Sequence, residues 1–353
     1  MYGYAEIEKE LVRHIVLKKD ICYDKDTVFQ EVMAMKKYGV TAIGELLIDF
    51  TQNGMSEQGN ALFEANPGGA PCNVLSILSK LGDKAAFIGK VGKDSFGKQL
   101  KSALEEVGID ATYLYMDEEV HTTLALVHTF ADGDRDFSFY RNPGADMMLT
   151  EDEIPEDLIK DTKIFHFGTL SMTHEGVRNA TKKALDIAKK SGCLISFDPN
   201  LRPPLWDSLD NAKEQVLYGL QFCDILKISD NEIQWLTGEE DYTDGVKWIL
   251  ERYQIPLILV SMGKEGSRAY YNGTMVEVAP FLQKNTIETT GAGDTFGGCV
   301  LHYVLAHGLE NLTEDNLTEM LRFANAAASL ITTRKGALRV MPSEEEIKEL
   351  LQK

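Results

Sequence analysis

The sequence has few cysteines, and none of them are arranged in a recognisable motif. Its five cysteines are scattered without a CxxC spacing, and an odd number of thiols is typical of a reducing cytosol, where disulfide frameworks are rare. No apolar run approaches the length of a membrane span. The histidines are isolated from one another, so none of them form a cluster with the spacing of a metal site. These features predict a cytoplasmic protein without a membrane segment.

Two nucleotide-binding motifs and an excess of basic residues are also absent. The chain contains no GxxxxGK[ST], which excludes a P-loop, and no GxGxxG that opens a helix after its first strand, which excludes a dinucleotide fingerprint. Lys and Arg number 36 against 55 Asp and Glu, so the net charge is −19. This balance argues against nucleic acid or an anionic membrane as a partner. A phosphorylated ligand would need a local positive site that opposes the overall field.

Strand-like and helix-like segments alternate along the chain from residue 40 onward. Hydrophobic residues make up 44% of the sequence, and one α/β domain with an insertion suits the length as well as two domains do. Apolar runs rich in β-branched and aromatic residues occur at residues 40–50, 85–91, 164–167, 194–197, 225–228 and 257–260. Helical patterns lie between them at residues 73–81, 96–107, 177–190, 245–253 and 317–330. This order predicts an α/β fold in which helices cover both faces of a mostly parallel sheet.

One region departs from this alternation. Residues 122–130 and 137–140 are strand-like runs joined by a polar stretch that contains glycine, which is a hairpin signal. A segment near residues 58–65 likewise has no helix attached. Together they predict a small β-sheet lid with segments near 51–66 and 120–142, although two edge strands of the main sheet would give a similar pattern. Residues 1–36 carry no motif and are interpreted as an N-terminal extension of a domain that spans residues 37–350.

The most informative stretch is ETTGAGD at residues 288–294, which opens an amphipathic helix. A Gly-rich turn at a helix N-terminus directs several backbone N–H groups at one point, where the helix dipole also favours negative charge. A carboxylate inside such an anion site makes sense if Asp294 takes the proton of a hydroxyl that attacks a bound phosphorus. The alternative is an ordinary helix start with an acidic first turn, and these residues alone do not decide between the two.

Other polar clusters follow directly on predicted strands, at residues 198–202, 229–232 and 261–266. Ligands bind outside the carboxyl ends of the strands in open parallel sheets, so these clusters are expected to share one edge with the Gly-rich turn. A second Gly-rich turn, PGGAPCN, permits close approach by a ligand and ends in Asn73, which offers both a donor and an acceptor. Asp49 is predicted to end the first strand, where its carboxylate accepts sugar hydroxyls or simply begins a turn.

From about residue 37 to about residue 348 the chain resembles the ribokinase-like (PfkB) carbohydrate kinases. One shared motif runs from GGA at residues 68–70 to FIGKVG at residues 87–92, and the other is TTGAGDTF at residues 289–296. Within the family, FYRNP at residues 139–143 and DPNLR at residues 198–202 look most like fructokinases. The resemblance implies a Rossmann-like α/β body with a β-sheet lid, which often serves as a homodimer contact.

The resemblance also implies an activity, which is the ATP-dependent phosphorylation of a sugar primary hydroxyl. D-fructose is the expected substrate and fructose 6-phosphate the product, with ATP and Mg²⁺ as cofactors. Ribose and 2-keto-3-deoxygluconate remain alternative substrates, because an arginine in the lid would also suit the carboxylate of a sugar acid. A non-catalytic sugar-binding or scaffold paralogue is the alternative from a different class, and the intact Asp294 argues against it.

Individual roles follow from the positions that match the motifs. The catalytic base and the anion hole that surrounds it are expected at Asp294, Gly291, Ala292 and Gly293. The groups that bind sugar hydroxyls are expected at Asp49, Gly68, Gly69 and Asn73, together with Arg141 from the lid. The nucleotide side is expected at Lys227, Ser261, Gly263, Gly266 and Asn325. Mg²⁺ is expected to be organised through water by Glu232.

Two positions depart from the pattern of the family. Glu288 stands where the family usually has an aspartate linked to monovalent-cation binding, and its extra methylene weakens the case for K⁺ activation. Ser229 replaces the usual asparagine of the Asn-x-x-Glu motif. Fructokinase-like members share the second change, so it indicates a subgroup and not a loss of function.

Overall fold

The computed structural model describes residues 35–129 and 135–353, which form two sheets and the helices around them. The strands of these residues are, in chain order, β1 (Tyr38–Ile43), β2 (Leu47–Met55), β3 (Ala61–Gly68), β4 (Ala85–Gly92), β5 (Asp110–Asp117), β6 (Leu124–Thr129), β7 (Arg135–Tyr140), β8 (Thr162–Gly168), β9 (Leu194–Asp198), β10 (Ile225–Ser229), β11 (Leu257–Ser261), β12 (Ser267–Tyr271) and β13 (Thr274–Val278). The proposed N-terminal extension up to residue 34 and the tip of the predicted hairpin lie outside the described residues.

The α-helices of the same residues lie between the strands or close the chain. They are α1 (Ala70–Lys80), α2 (Ser95–Glu106), α3 (Glu156–Lys160), α4 (Glu175–Lys190), α5 (Leu209–Leu220), α6 (Asp230–Thr237), α7 (Tyr242–Leu250), α8 (Ala292–His307), α9 (Glu314–Ile331) and α10 (Glu344–Leu351). None of these helices is long and apolar enough to cross a membrane. The predicted helical segments are all present, and most begin a few residues earlier than the apolar periodicity indicated, because polar capping turns precede the apolar stripe.

The larger sheet has the strand order β13-β12-β11-β10-β9-β8-β1-β4-β5. Its strands from β11 to β5 pair in parallel, and β12 and β13 add an antiparallel edge. The central strands read as nearly continuous apolar runs because helices cover both of their faces. One core packs β1 and β4 against α1, α8 and α9, and a second core on the other face holds the stacked rings of Phe167 and Phe197. The predicted α/β fold is confirmed.

The smaller sheet has the order β3-β2-β6-β7. Strands β6 and β7 pair antiparallel, as the hairpin signal predicted, and β2 pairs antiparallel with β3 and parallel with β6. The alternative, in which these segments are edge strands of the main sheet, is wrong.

One predicted boundary is also wrong. The apolar run at residues 40–50 is not a single strand, because β1 ends at Ile43 and the chain turns before β2 begins at Leu47. Asp49 therefore lies within β2 of the smaller sheet and not at the end of the first strand. An apolar run gives no sign of the place where a buried chain passes from one sheet to another, since both sides of the turn are buried.

The contact between α1 and α8 brings the two Gly-rich turns together, and it depends on Gly298. A Cβ atom added at Gly298 would lie 2.3 Å from Ile77 Cγ2 and 2.9 Å from the carbonyl oxygen of Val74. At Gly297, one position earlier in the same helix, an added Cβ would meet nothing within 4 Å. The two glycines therefore form a matched pair that differs only in the space available.

We predict opposite effects of alanine at these two positions. Gly298→Ala overpacks the contact and should lower the free energy of unfolding by about 1–3 kcal/mol. Gly297→Ala should leave it unchanged or raise it by up to about 1 kcal/mol, because alanine is the better helix former. Urea unfolding of both variants followed by circular dichroism tests this. Equal free energies for the two variants would mean that α1 and α8 do not pack as closely as the structure shows.

Candidate active site

A cavity of about 380 Å³ lies between the smaller sheet and the carboxyl ends of the parallel strands. Asp49 lines it from the smaller sheet, and Lys227 lines it from the end of β10. The two Gly-rich turns complete the wall with Gly69 and Asn73 on one side and Gly291, Gly293 and Asp294 on the other. A larger hollow of about 560 Å³ lies at the opposite edge of the sheet beside the end of α8, and it contains none of the predicted site residues.

The turn before α8 has the geometry of an anion site. Gly291 caps the helix with a φ of 75°, a left-handed conformation that favours glycine. The Ala292 N–H donates to the Thr289 carbonyl (3.2 Å), and the first bond within the helix runs from Thr295 N to Gly291 O (2.8 Å). The amides of Gly293 and Asp294 lie between these two, where a helix start leaves N–H groups for a ligand. Of the predicted anion hole, Ala292 thus supplies a turn bond and Gly293 a ligand-facing amide.

Asp294 is enclosed at the bottom of this cavity. Asn73 Nδ2 donates to Asp294 Oδ2 at 2.8 Å, so the amide of one Gly-rich turn holds the carboxyl group of the other. Burial raises the pKa of Asp294 to about 6, with a further upward effect from Asp198. The Asn73 hydrogen bond and the cations Lys227 and Arg202 act in the other direction. The carboxyl group is therefore ionised at neutral pH, but this pH is close to the pKa at which the group takes up a proton.

The sugar side of the cavity is shaped by glycines. A Cβ at Gly68 would lie 2.2 Å from Asp49 Oδ2, so any larger residue there would displace this carboxylate. Gly69 has a φ of 128°, and a Cβ on it would lie 2.4 Å from the carbonyl oxygen of Glu45. Asn73 Oδ1 is buried and has no hydrogen-bond partner within the described residues. A buried acceptor of this kind fits a ligand hydroxyl, because leaving it unpaired costs free energy.

Arg141 does not reach the cavity, which corrects the prediction that it contacts the substrate. Its side chain is only 2% exposed and pairs with Asp146 at 2.7 Å. The guanidinium also donates to Thr173 Oγ1 (2.9 Å) and to the carbonyl oxygen of Leu170 (3.0 Å). Leu170 itself lines the cavity. Arg141 therefore supports the cavity wall through its hydrogen bond to Leu170. The alternative, a solvated arginine in the lid, is wrong as well.

The residues predicted for the nucleotide side divide into two groups. Ser261 ends β11, and Gly263 and Gly266 lie in the turn that follows, where a Cβ at Gly266 would meet the Val278 carbonyl oxygen at 2.2 Å. Asn325 is buried and bonded to Ser267 and to the carbonyls of residues 278 and 279, so its side chain holds this turn in place. These four residues are outside the cavity wall. Lys227, in contrast, is part of that wall, and its Nζ is 2.9 Å from Asp198 Oδ2.

Glu232 closes the capping box of α6. Its carboxylate accepts from the backbone of Ser229 (2.8 Å) and from Leu201 N (2.7 Å). Among the described residues no cluster of three acidic, His or Cys side chains is placed to hold a metal ion. Both carboxylate oxygens of Glu232 thus accept backbone hydrogen bonds, and Mg²⁺ keeps several of its waters in protein sites. Glu288 is the residue expected to weaken a K⁺ site, and its Oε1 accepts a hydrogen bond from Gly336 N (2.8 Å). One oxygen of its carboxylate is therefore already occupied.

Sequence reasoning missed one acidic residue in the cavity wall, Glu45. It lies in the turn between β1 and β2, lines the cavity and accepts from Ala70 N at 2.8 Å. Burial raises the pKa of Glu45 to about 7. The available signal was an acid inside an otherwise apolar run, at residues 40–50. Asn200 and Arg202 also line the cavity, and they belong to the polar cluster that the sequence had placed at this edge.

An α/β body with an anion-binding helix start, a neighbouring carboxylate and a small sheet over the cavity defines a carbohydrate kinase of the ribokinase-like class. The chain belongs to the pfkB family of carbohydrate kinases, whose model matches residues 38–344. It is 41% identical over 323 residues to a Zea mays protein named "Fructokinase-1", covering 91% of this chain and 100% of that protein. It is also 41% identical over 314 residues to "Probable fructokinase-4" of Arabidopsis thaliana, covering 88% and 96% of the two chains.

Solved structures give the same result. The fructokinase of Vibrio cholerae O395 in its fructose-, ADP- and calcium-bound form aligns with a TM-score of 0.80 at 30% identity, covering 88% of this chain and 98% of that one. The fructokinase of Xylella fastidiosa with bound ATP aligns with a TM-score of 0.81 at 29% identity, covering 90% and 99%. The family that the sequence motifs predicted is confirmed.

We predict that the Asp294 carboxylate costs the protein stability. Its pKa is higher in the fold than the usual 3.8, so the ionised form is disfavoured by folding. This cost is fully present above about pH 6 and disappears as the pH falls below about 4. Asp294→Asn, which keeps an oxygen for Asn73, should therefore raise the free energy of unfolding by about 1–3 kcal/mol at about pH 8.

Urea titrations at about pH 8 and about pH 4 test this, and the gain should shrink at the lower pH. Asp241→Asn is the matched control, because hydrogen bonds from the amides of Asp244 and Thr243 lower the pKa of Asp241, and no gain is expected there. A less stable Asp294→Asn protein at the higher pH would contradict the prediction.

Proposed function

We propose that this protein is an ATP-dependent sugar kinase that transfers a phosphoryl group to the primary hydroxyl of D-fructose and so forms fructose 6-phosphate. The observation that carries the proposal is the position of Asp294, a half-buried carboxylate at an anion-binding helix start, in one cavity with polar groups that suit a sugar. A site that only binds sugar has no need of a carboxylate beside an anion site. The names of the plant and bacterial relatives support fructose as the acceptor.

The chemical step asks the protein for alignment, charge neutralisation and a base. Asp49, Gly68, Gly69 and Asn73 hold the sugar so that its primary hydroxyl points at Asp294. Asn73 occupies Asp294 Oδ2, which directs the other oxygen, Oδ1, toward the substrate. Asp294 takes the hydroxyl proton as the sugar oxygen attacks the γ-phosphorus. General-base catalysis of this kind contributes roughly 10²–10⁴-fold to the rate.

The nucleotide lies on the other side of the anion turn, toward Ser261, Gly263, Gly266 and Asn325. Mg²⁺, when bound, neutralises phosphate charge, and Glu232 would hold it through water. The amides of Gly293 and Asp294 at the start of α8 face the developing charge, as oxyanion donors do in other enzymes, and Gly291 and Ala292 form the turn that presents them. The smaller sheet keeps water, a competing nucleophile, out of the cavity.

The substrate is proposed to be a neutral sugar. The case for a sugar acid rested on a free Arg141 guanidinium, and Asp146 neutralises that group behind the cavity wall. The side chains that line the sugar side, Asp49 and Asn73 among them, suit hydroxyl groups. Ribose and 2-keto-3-deoxygluconate therefore serve as competitors in the test.

The test is a panel of sugars with ATP and Mg²⁺, with the product identified by NMR. Wild type should give the highest kcat/KM with fructose and form the 6-phosphate. Asp294→Asn should lower kcat by roughly 10²–10⁴-fold with little change in either KM. Asp49→Ala should raise the KM for sugar and spare that for ATP, because a site built for hydroxyls loses affinity when a buried partner is missing.

Four results bear on this assignment. Asp241→Asn, remote from the cavity, serves as the control and should keep full activity. A preference for the sugar acid would retain the kinase and overturn fructose. An Asp294→Asn enzyme with more than about a tenth of the wild-type kcat would remove Asp294 from the mechanism. A chain that begins at Met35 should match wild type if the kinase domain spans residues 37–350.

We further propose a homodimer through the smaller sheet. Met55 of β2 and Leu62 and Phe63 of β3 are exposed there by 59%, 48% and 42%, and exposed apolar residues on neighbouring strands are typical of an interface. Phe63→Glu should convert a dimer to a monomer in light scattering. Leu282→Glu is the control, because Leu282 is 71% exposed outside this sheet and the change should leave the dimer intact. A wild-type monomer would refute the proposal.

A further inference from the structure

Lys227, in the middle of β10, and Asp198, the last residue of the neighbouring strand β9, form a buried ion pair. The parallel register of β9 and β10 pairs Ile225 with Ser196 and Leu226 with Phe197, so the next residue of each strand comes side by side. Lys227 Nζ is 2.9 Å from Asp198 Oδ2, and the two side chains are 11% and 7% exposed. Asp198 is held in turn by the amide of Asn200 (3.2 Å).

The ammonium group lies against the anion turn. A Cβ added at Gly293 would be 3.2 Å from Lys227 Nζ. The ammonium group therefore lies close to the backbone of the residue directly before Asp294. Three carboxylates, Asp198, Glu232 and Asp294, act on Lys227, and their combined effect raises its pKa despite burial. Lys227 therefore carries its charge in the cavity wall, between the proposed base and the proposed nucleotide side.

A structural role alone does not account for this arrangement. A buried ion pair is weak evidence for stability, because apolar residues of similar volume often serve as well. Asp198 takes one of the three N–H groups of the ammonium. The position of the remaining donors, beside an anion turn that itself favours negative charge, suits an additional anion.

We propose that Lys227 donates to the phosphoryl group during transfer and that Asp198 is the positioning residue that holds the ammonium beside the turn. This inference rests on the proposed kinase function and moves Lys227 from nucleotide binding to the reacting group. The bond from the sugar oxygen to the γ-phosphorus forms, and the bond from that phosphorus to the β,γ-bridging oxygen breaks. ADP keeps that electron pair, Asp294 receives the hydroxyl proton, and Lys227 keeps its own proton throughout.

The first experiment does not depend on the sugar. Isothermal titration compares ADP with a non-hydrolysable β,γ-methylene analogue of ATP, both with Mg²⁺. Lys227→Met should bind the analogue roughly ten- to a hundredfold more weakly than wild type, because it loses a hydrogen bond to a charged group. Its affinity for ADP should change little. Lys227→Arg, which keeps the charge, should retain part of the difference.

Lys90→Met is the matched control for the loss of a buried lysine. Lys90 is 9% exposed and pairs with Glu153 at 2.7 Å, outside the cavity wall. This variant should lose stability and keep the wild-type preference between the two nucleotides. Thermal melts confirm that each variant is folded. If Lys227→Met does not fold, Asp198→Asn and Lys227→Arg carry the comparison, and both should reduce the preference for the analogue.

The second experiment is the pH dependence of kcat/KM for the sugar reaction. Lys227 lowers the pKa of Asp294 and Asp198 raises it. The acidic limb should therefore move to higher pH in Lys227→Met and to lower pH in Asp198→Asn, which tests whether both charges act on the base in the working enzyme. In both variants kcat should fall by more than the KM for ATP rises.

The outcomes separate this inference from the proposed function. If wild type phosphorylates no sugar, the proposed function fails, and the nucleotide comparison still tests Lys227. If Lys227→Met weakens ADP and the analogue equally, or leaves both unchanged, the contact with the transferred group is refuted even where wild type is an active kinase.

Discussion

The hydrogen bond from Asn73 to Asp294 is the contact on which the site depends. It joins residues 221 positions apart in the chain and ties the first turn of α1 to the first turn of α8. The bond requires the two helices to approach closely, which the missing side chain at Gly298 allows. It also sets the orientation of the carboxyl group. The position of the catalytic carboxyl group thus depends on the packing of α1 against α8. A single methyl group added at Gly298 would disturb that packing.

The α/β body and the smaller sheet contribute different things to this site. Parallel strands bring Asp198 and Lys227 to one edge regardless of their distance along the chain, as the general rule for such sheets requires. The smaller sheet adds Asp49 from β2 and Phe139 from β7 to the cavity wall. In the pairing of β2 with β3, Gly68 lies opposite Leu47, two residues before Asp49, and a Cβ on Gly68 would be 2.2 Å from Asp49 Oδ2. The carboxylate proposed to bind sugar and the glycine that leaves room for it therefore come from one pair of strands.

Much of this arrangement could be predicted from the sequence, because periodicity and glycine carry the information. The alternation of elements gave the larger sheet, and the two Gly-rich turns gave Asn73 and Asp294 as partners of one site. The sequence could not place Asp49, since an apolar run hides the point at which the chain changes sheets. It also misplaced Arg141, because alternation along a strand says nothing of a partner such as Asp146 beyond the strand's end. Glu45 was not predicted as a site residue for the same reason, because its burial depends on tertiary contacts.

The electrostatics of the cavity resolve a conflict that composition alone presents. A chain with a net charge of −19 repels an anionic nucleotide at long range. That repulsion is screened within about 10 Å at ordinary ionic strength, whereas charges in a partly buried cavity are screened much less. Lys227 and Arg202 line the wall together with the amides of the helix start, and they supply positive charge beside the acidic residues Glu45, Asp49 and Asp294. The acidic partners Asp198 and Glu232 hold Lys227 protonated. The carboxylates that make the protein acidic thereby also maintain the positive charge that a phosphate requires.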